Sequence, residues 1–139
     1  MALTKAQRET VRLRFGGHCA YCGTLLEKGW HVDHLKPIRR RSTWVRGKGP
    51  VLTGEVDHPE REHPDNLYPA CAPCNIDKHS SSLETWRKKL QDACNVMRRN
   101  SPTYKHALRF GLILETQTKI RFYFETYQRK LKPRPVKAS

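Results

Sequence analysis

Four of the five cysteines form two C-x-x-C pairs, Cys19 with Cys22 and Cys71 with Cys74, separated by 48 residues; Cys94 is left over. In a reducing compartment this pattern argues for a metal rather than for disulfides. Two such knuckles can supply four thiolates to a tetrahedral Zn²⁺ at Zn–S distances of about 2.3 Å, and the ion closes a small fold that would otherwise lack core. The spacer is longer than that of a zinc finger, so a functional insertion is expected between the knuckles. Cys94 falls on the apolar face of a predicted helix and reads as core packing.

The chain has 139 residues, the length of one domain. A mean hydropathy of −0.79 leaves no stretch resembling the ~20 apolar residues of a membrane span. The polar segment Thr4 to Arg14 behind Met1 does not read as a secretory signal, so a cytoplasmic location without membrane association is expected. Lys and Arg number 27 against 13 Asp and Glu, a formal charge of +14, which concentrates polyanions and points to nucleic acid. The charge is uneven. Glu55, Asp57, Glu60, Glu62 and Asp65 form an acidic cluster around Arg61. Basic blocks lie at Lys36 to Lys48, at Arg87 to Lys89, and from Arg129 onward.

Local signals divide the chain. Thr4 as N-cap, with Gln7 three residues on, opens a helix that Gly16-Gly17 stops. Its thin apolar face holds Leu3, Val11 and Phe15. A short strand over 30–35 leads to Pro37, and the glycines and prolines of 42–65 predict a long, mobile insertion with at most a short strand at Val51-Leu52. A short helix opens at Pro73. Ser81 and Glu84 read as a capping box for a helix to about Arg99, with Leu83, Trp86, Leu90, Cys94 and Met97 on one face. Ser101-Pro102 starts another helix through Leu108. The alternation of Ile120, Phe122 and Phe124 with charged and polar residues, after Leu112-Ile113-Leu114, predicts a β-hairpin over about 111–125. The proline-containing basic tail, 129–139, is expected to be disordered.

Between the knuckles stand Asp33-His34-Leu35-Lys36-Pro37 and Asp65-Asn66-Leu67. Taken alone, an Asp-His pair in a basic protein is usually a solvated turn or a helix cap. The ordered set is more specific: D-H-x-x-P, then D-N-L, then C-x-x-C-N-x-x-K, with the first C-x-x-C upstream. It resembles the HNH endonuclease family. C-A-Y-C-G, C-N-I-D-K-H-S and the R-F-G that precedes the expected hairpin are similar to small HNH proteins of phages and prophages. The resemblance covers Cys19 to His79 with specific motifs and the rest more loosely. It implies an α+β fold with a ββα-metal, or His-Me finger, core stapled by a four-cysteine zinc site and flanked by helices and the C-terminal β-hairpin. The expected organisation is a single domain over 1–128, with the catalytic module at about 19–79 and helices at about 82–109. By position, Asp33 and His34 match the family's first motif, Asn66 its central asparagine and Asn75 its last member. Asn75 stands where the simplest pattern has a histidine, a departure that bears on metal preference. His79, one helical turn on, is the alternative ligand.

The implied chemistry is metal-dependent hydrolysis of DNA, leaving 5′-phosphate and 3′-hydroxyl ends. His34 suits the general base, because an imidazole can accept a proton from water at physiological pH. Asp33 and Asn75 are hard ligands for one Mg²⁺ or Mn²⁺, or another divalent cation, separate from the structural Zn²⁺ of Cys19, Cys22, Cys71 and Cys74. Asn66 would hold the loop and orient His34. Lys36, Arg39, Arg40, Arg41 and Lys78 are expected phosphate contacts. His31 reads as a polar strand residue, and Trp30 and Trp44 as packing. The implied partners are duplex DNA and phage packaging (terminase) proteins in a bacterial cell. The rival reading is a non-catalytic zinc-containing DNA-binding or packaging accessory protein.

Overall fold

In the computed structural model, which describes residues 2–131, the chain is mixed α and β and divides into two compact units. One holds the residues up to Ser82 and those from Arg121 onward; the other is Leu83–Ile120. No helix among the described residues is long and apolar enough to cross a membrane.

The first unit opens with α1, Lys5–Leu13. Thr4 accepts a hydrogen bond from the Gln7 amide, and the Gln7 side chain accepts one from the Thr4 amide, so the expected capping box forms and satisfies two otherwise orphaned donors. Gly16 and Gly17 follow at positive φ and turn the chain into the first knuckle. Strand β1, His31–His34, pairs antiparallel with β4, Leu67–Ala70, in the register Asp33 to Tyr68 and His34 to Leu67. All four β4 residues are buried. Helix α2, Ala72–Lys78, follows at once and packs against β1.

The core of this unit is aromatic. Phe15, Tyr68 and Phe124 meet at centroid distances of 5.0 to 6.3 Å, and Tyr21 stands edge-on to Phe122 at 5.7 Å. Phe122 and Phe124 arrive at the start of α6, Tyr123–Leu131. The amides of Tyr123 and Phe124, free donors at a helix start, are taken by the carbonyls of Tyr21 and Ala20. The C-terminal hairpin expected over 111–125 is therefore absent: 112–122 has no regular structure and α6 begins at Tyr123. The alternation that suggests a strand sends Phe122 and Phe124 to the aromatic core instead. The tail expected from 129 overlaps α6, and residues 132–139 lie outside the described residues.

The insertion also differs from expectation. Strands β2, Arg39–Val45, and β3, Gly49–Asp57, form an antiparallel hairpin with an irregularity between Arg40 and Ser42. Gly47 and Gly49 supply the turn at positive φ, so glycines that read as breakers instead close a hairpin. Single-turn 3₁₀ helices at Pro59–Arg61 and Pro64–Asn66 lead back to β4.

The second unit holds α3, Leu83–Gln91, α4, Ala93–Asn100, and α5, Pro102–Arg109. The single helix expected to Arg99 is thus broken at Asp92, the N-cap residue of α4. Ser101 caps α5 through the Tyr104 amide, as Ser-Pro predicts. Trp86 is buried, while Cys94 is only half-buried.

Candidate functional site

The two knuckles close on each other. The sulfurs of Cys19, Cys22, Cys71 and Cys74 all lie within 4.8 Å of one another, with Cys22 and Cys71 at 3.7 Å. Four sulfurs on a zinc with ~2.3 Å bonds stand about 3.8 Å apart along each tetrahedral edge, so the cluster has the size and donor chemistry for such an ion. Local sequence places two ligands per side. Cys71 is the N-cap residue of α2 and Cys74 lies in its first turn; the first knuckle is tied down by Ala20 N–H to the Pro69 carbonyl at 2.8 Å. A hydrogen bond from Cys74, assisted by amides of the two knuckles, holds the Cys19 thiol down at about 4. Burial pushes Cys22 up to about 11, and the partner Cys19 pushes Cys74 higher still. Thiolates this close repel one another, and a cation bound among them would offset that repulsion. These four cysteines could hold a metal such as zinc.

The side of α2 that carries the cluster extends further along the helix. Cys71, Cys74, Asn75 and Lys78 are three or four residues apart and fall on one side. Asn75 lines a cleft of about 380 Å³ together with Asp33 and His34 from the end of β1, Pro37, Ile38 and His79. Sequence motifs from the two sides of the insertion therefore meet at one cleft. His79 sits at φ 50, where a side chain rarely goes, and its Nδ1 is 3.0 Å from Ser80 Oγ.

Asp33 is buried and held on one oxygen. The Tyr21 hydroxyl donates to Oδ2, and the Lys78 ammonium stands 3.0 Å from the same atom. Burial, and then the Asp33 charge, push the Tyr21 hydroxyl far above the usual tyrosine range, so it remains a donor. Lys78 also donates to the His34 carbonyl at 3.0 Å and has no exposed surface. The phosphate contact expected of Lys78 is corrected accordingly. A fully buried ammonium paired with a carboxylate has no face to offer a backbone phosphate.

Asn66 occupies the loop-holding position. Its Oδ1 accepts from the Lys36 amide at 2.8 Å, and its Nδ2 donates to the carbonyls of Lys36 and Arg61, both at 2.9 Å. The Leu35 amide donates to the Asn66 carbonyl. The loop after His34 is thereby fastened to the segment before β4.

Compared with protein-family models, curated proteins and solved structures, the chain matches none.

Sequence reasoning assigns Glu62 only to an acidic cluster, yet its Oε1 lies 3.0 Å from His34 Nε2. Tyr21 likewise reads as no more than the middle of a knuckle. Nothing in its local sequence signals a contact with Asp33, twelve residues away. Of the other basic residues, Lys36, Arg39, Arg40 and Arg41 are exposed. Arg41 is engaged by Asp57 at 2.7 Å and Glu55 at 3.7 Å. His31 is exposed on β1, and Trp30 lies under the Arg8 guanidinium, 4.1 Å from the ring centroid.

Proposed function

We propose that this protein is a metal-dependent DNA endonuclease of the HNH type, with His34 as general base. The observation that carries the reading is the meeting of Asp33, His34, Asn75 and His79 at one cleft, between an antiparallel strand pair and the helix that follows it. An antiparallel strand pair followed by a helix, beside a cluster of four cysteines, supports the ββα-metal reading. The +14 charge favours a nucleic-acid substrate.

The donor set suits one hard divalent cation. Asp33 Oδ2 is occupied by Tyr21 and Lys78, which leaves Oδ1 as its free oxygen, and Asn75 adds an amide oxygen from α2. A single carboxylate with neutral donors and retained waters is the environment Mg²⁺ or Mn²⁺ accepts, and His79 provides a nitrogen donor on the same cleft. Bound there, the cation supplies Lewis-acid stabilisation of charge on the phosphate and the leaving 3′-oxygen.

The chain's own residues do the rest. The Glu62 carboxylate can only accept a hydrogen bond, so neutral His34 carries its proton on Nε2 and keeps the lone pair on Nδ1. Nδ1 is then the nitrogen that takes a proton from the attacking water. Lys78 fixes the peptide of His34 and the carboxylate of Asp33 together, and Asn66 fixes the loop that follows. Lys36, Arg39 and Arg40 are exposed near this end of β1 and β2 and supply phosphate contacts.

The test is cleavage of supercoiled plasmid by the parent protein with Mg²⁺ or Mn²⁺, by His34→Ala with the same ion, and by the parent with no divalent ion added. Nicked or linear product in the first of these samples and in neither of the others supports the reading. A folded, metal-loaded parent that binds DNA and never cuts it removes catalysis and leaves the zinc-containing DNA-binding module.

A further inference from the structure

The β2–β3 hairpin is almost wholly exposed, and isolated two-stranded hairpins are marginally stable in water at best. Its register places Arg40 opposite Val56, Ser42 opposite Leu52, and Trp44 opposite Pro50. Directly opposed residues and residues two apart share a face, so on the tip side of the irregularity Ser42, Trp44, Pro50 and Leu52 stand on one side of the ribbon. Trp44 is 77% exposed and Leu52 62%. An indole left in water near the tip of a ribbon implies a surface that covers it.

The charges say which kind of surface. Acids and bases are sorted along the hairpin. Near the base, Asp57 and Glu55 neutralise Arg41. Toward the tip, Arg46 and Lys48 flank the turn beside Trp44 and form no ion pair among the described residues. The far end of the ribbon is thus a cationic tip around an exposed aromatic ring, with no acid near it in sequence. Strand spacing of ~4.8 Å lets a two-stranded ribbon with its side chains enter a DNA groove about 12 Å wide. At about 3.3 Å per residue, seven to nine residues reach roughly 25 Å, enough to follow a groove across several base pairs.

We infer that the β2–β3 hairpin is a DNA-binding arm that lies in a groove of the duplex, with Trp44 against the bases and Arg46 and Lys48 on phosphates. The inference rests on DNA being the substrate, and it assigns to the insertion a binding role separate from the cleft. Both sides of the arm are exposed, so tip substitutions remove no packing from the folded unit.

The experiment measures binding of a fluorescent duplex without added Mg²⁺ or Mn²⁺ and without chelator across a salt series for the parent, Trp44→Ala, and the double variant Arg46→Ala/Lys48→Ala, with plasmid nicking followed on the same samples in Mg²⁺. Each phosphate contact contributes about 0.9 to the slope of log K against log salt, so the double variant should lower the slope by about two units. Trp44→Ala should weaken binding about tenfold with the slope unchanged, because a buried aromatic contact with base edges carries affinity and no charge. If both variants bind with the parental affinity and slope, or the parent does not bind duplex at all, the arm is overturned, and the first result points the exposed ring to a protein partner. Loss of binding by the variants with a parent that never nicks upholds the arm and sinks the nuclease. A nicking parent whose arm variants bind and cut normally does the reverse.

Discussion

The ammonium of Lys78 stands 3.0 Å from Asp33 Oδ2 and 3.0 Å from the carbonyl oxygen of His34, with none of the lysine exposed to solvent. One side chain from the last turn of α2 therefore grips both residues that end β1. A buried charge is tolerated when it is paired and hydrogen-bonded, and here the Tyr21 hydroxyl adds a further donor to the same carboxylate.

Removing that ammonium leaves the Asp33 charge uncompensated inside the unit. Lys78→Met should destabilise the fold by about 3–5 kcal/mol, whereas Tyr21→Phe should cost only about 1–2 kcal/mol. Urea unfolding of both variants checks this, with Lys105→Met on the surface as control. A Lys78→Met protein with the parental midpoint would show that the pair contributes nothing to stability.

The His34 ring is half-buried, with Nε2 hydrogen-bonded to the half-exposed Glu62. His34→Ala should keep the parental unfolding midpoint and DNA affinity while losing about 10²- to 10⁴-fold in cleavage rate, the usual worth of a general base. Plasmid nicking and duplex binding on one preparation separate chemistry from binding; undiminished cutting takes His34 out of the mechanism.

Glu62 holds the opposite nitrogen of His34 from a segment braced by Arg61 Nη1 on the Pro37 carbonyl at 2.9 Å. A braced carboxylate orients the ring and does not merely plug the cleft. Glu62→Ala should lower the cleavage rate roughly tenfold or more with duplex affinity unchanged. Faster cutting by the variant would identify Glu62 as a screen over the base instead.

The cysteine cluster joins segments nearly fifty residues apart, so a metal bound there would couple to folding. The purified protein should contain one zinc by elemental analysis. Cys71→Ser or stripping by a strong chelator should abolish the near-ultraviolet signal of the aromatic core that surrounds Tyr21 and Phe122. A chelated protein with unchanged spectrum and melting temperature would make the cluster dispensable.

The sequence by itself determined whatever depends on neighbours along the chain. The Thr4 and Ser101 caps follow from side chains reaching backbone three residues away, the stop after α1 from the positive φ that Gly16 and Gly17 adopt, and the short helix after Cys71 from Pro73 in its first turn. The cysteine spacing was equally legible, because four thiolates in two pairs have few stable uses. Only the tertiary structure decided the rest. Lys78 reads as a surface cation until Asp33, forty-five positions away, is brought to it; Glu62 reads as a solvated acid until it meets His34. The glycines of the insertion look like breakers because strand pairing is settled by a distant partner strand, not by local propensity. Phe122 and Phe124 alternate as in a strand, yet Phe15, Tyr21 and Tyr68 already form a ring-lined site for them. Burying those rings outweighs a local pattern worth a few tenths of a kcal/mol per residue, because each buried aromatic contributes about 2–3 kcal/mol.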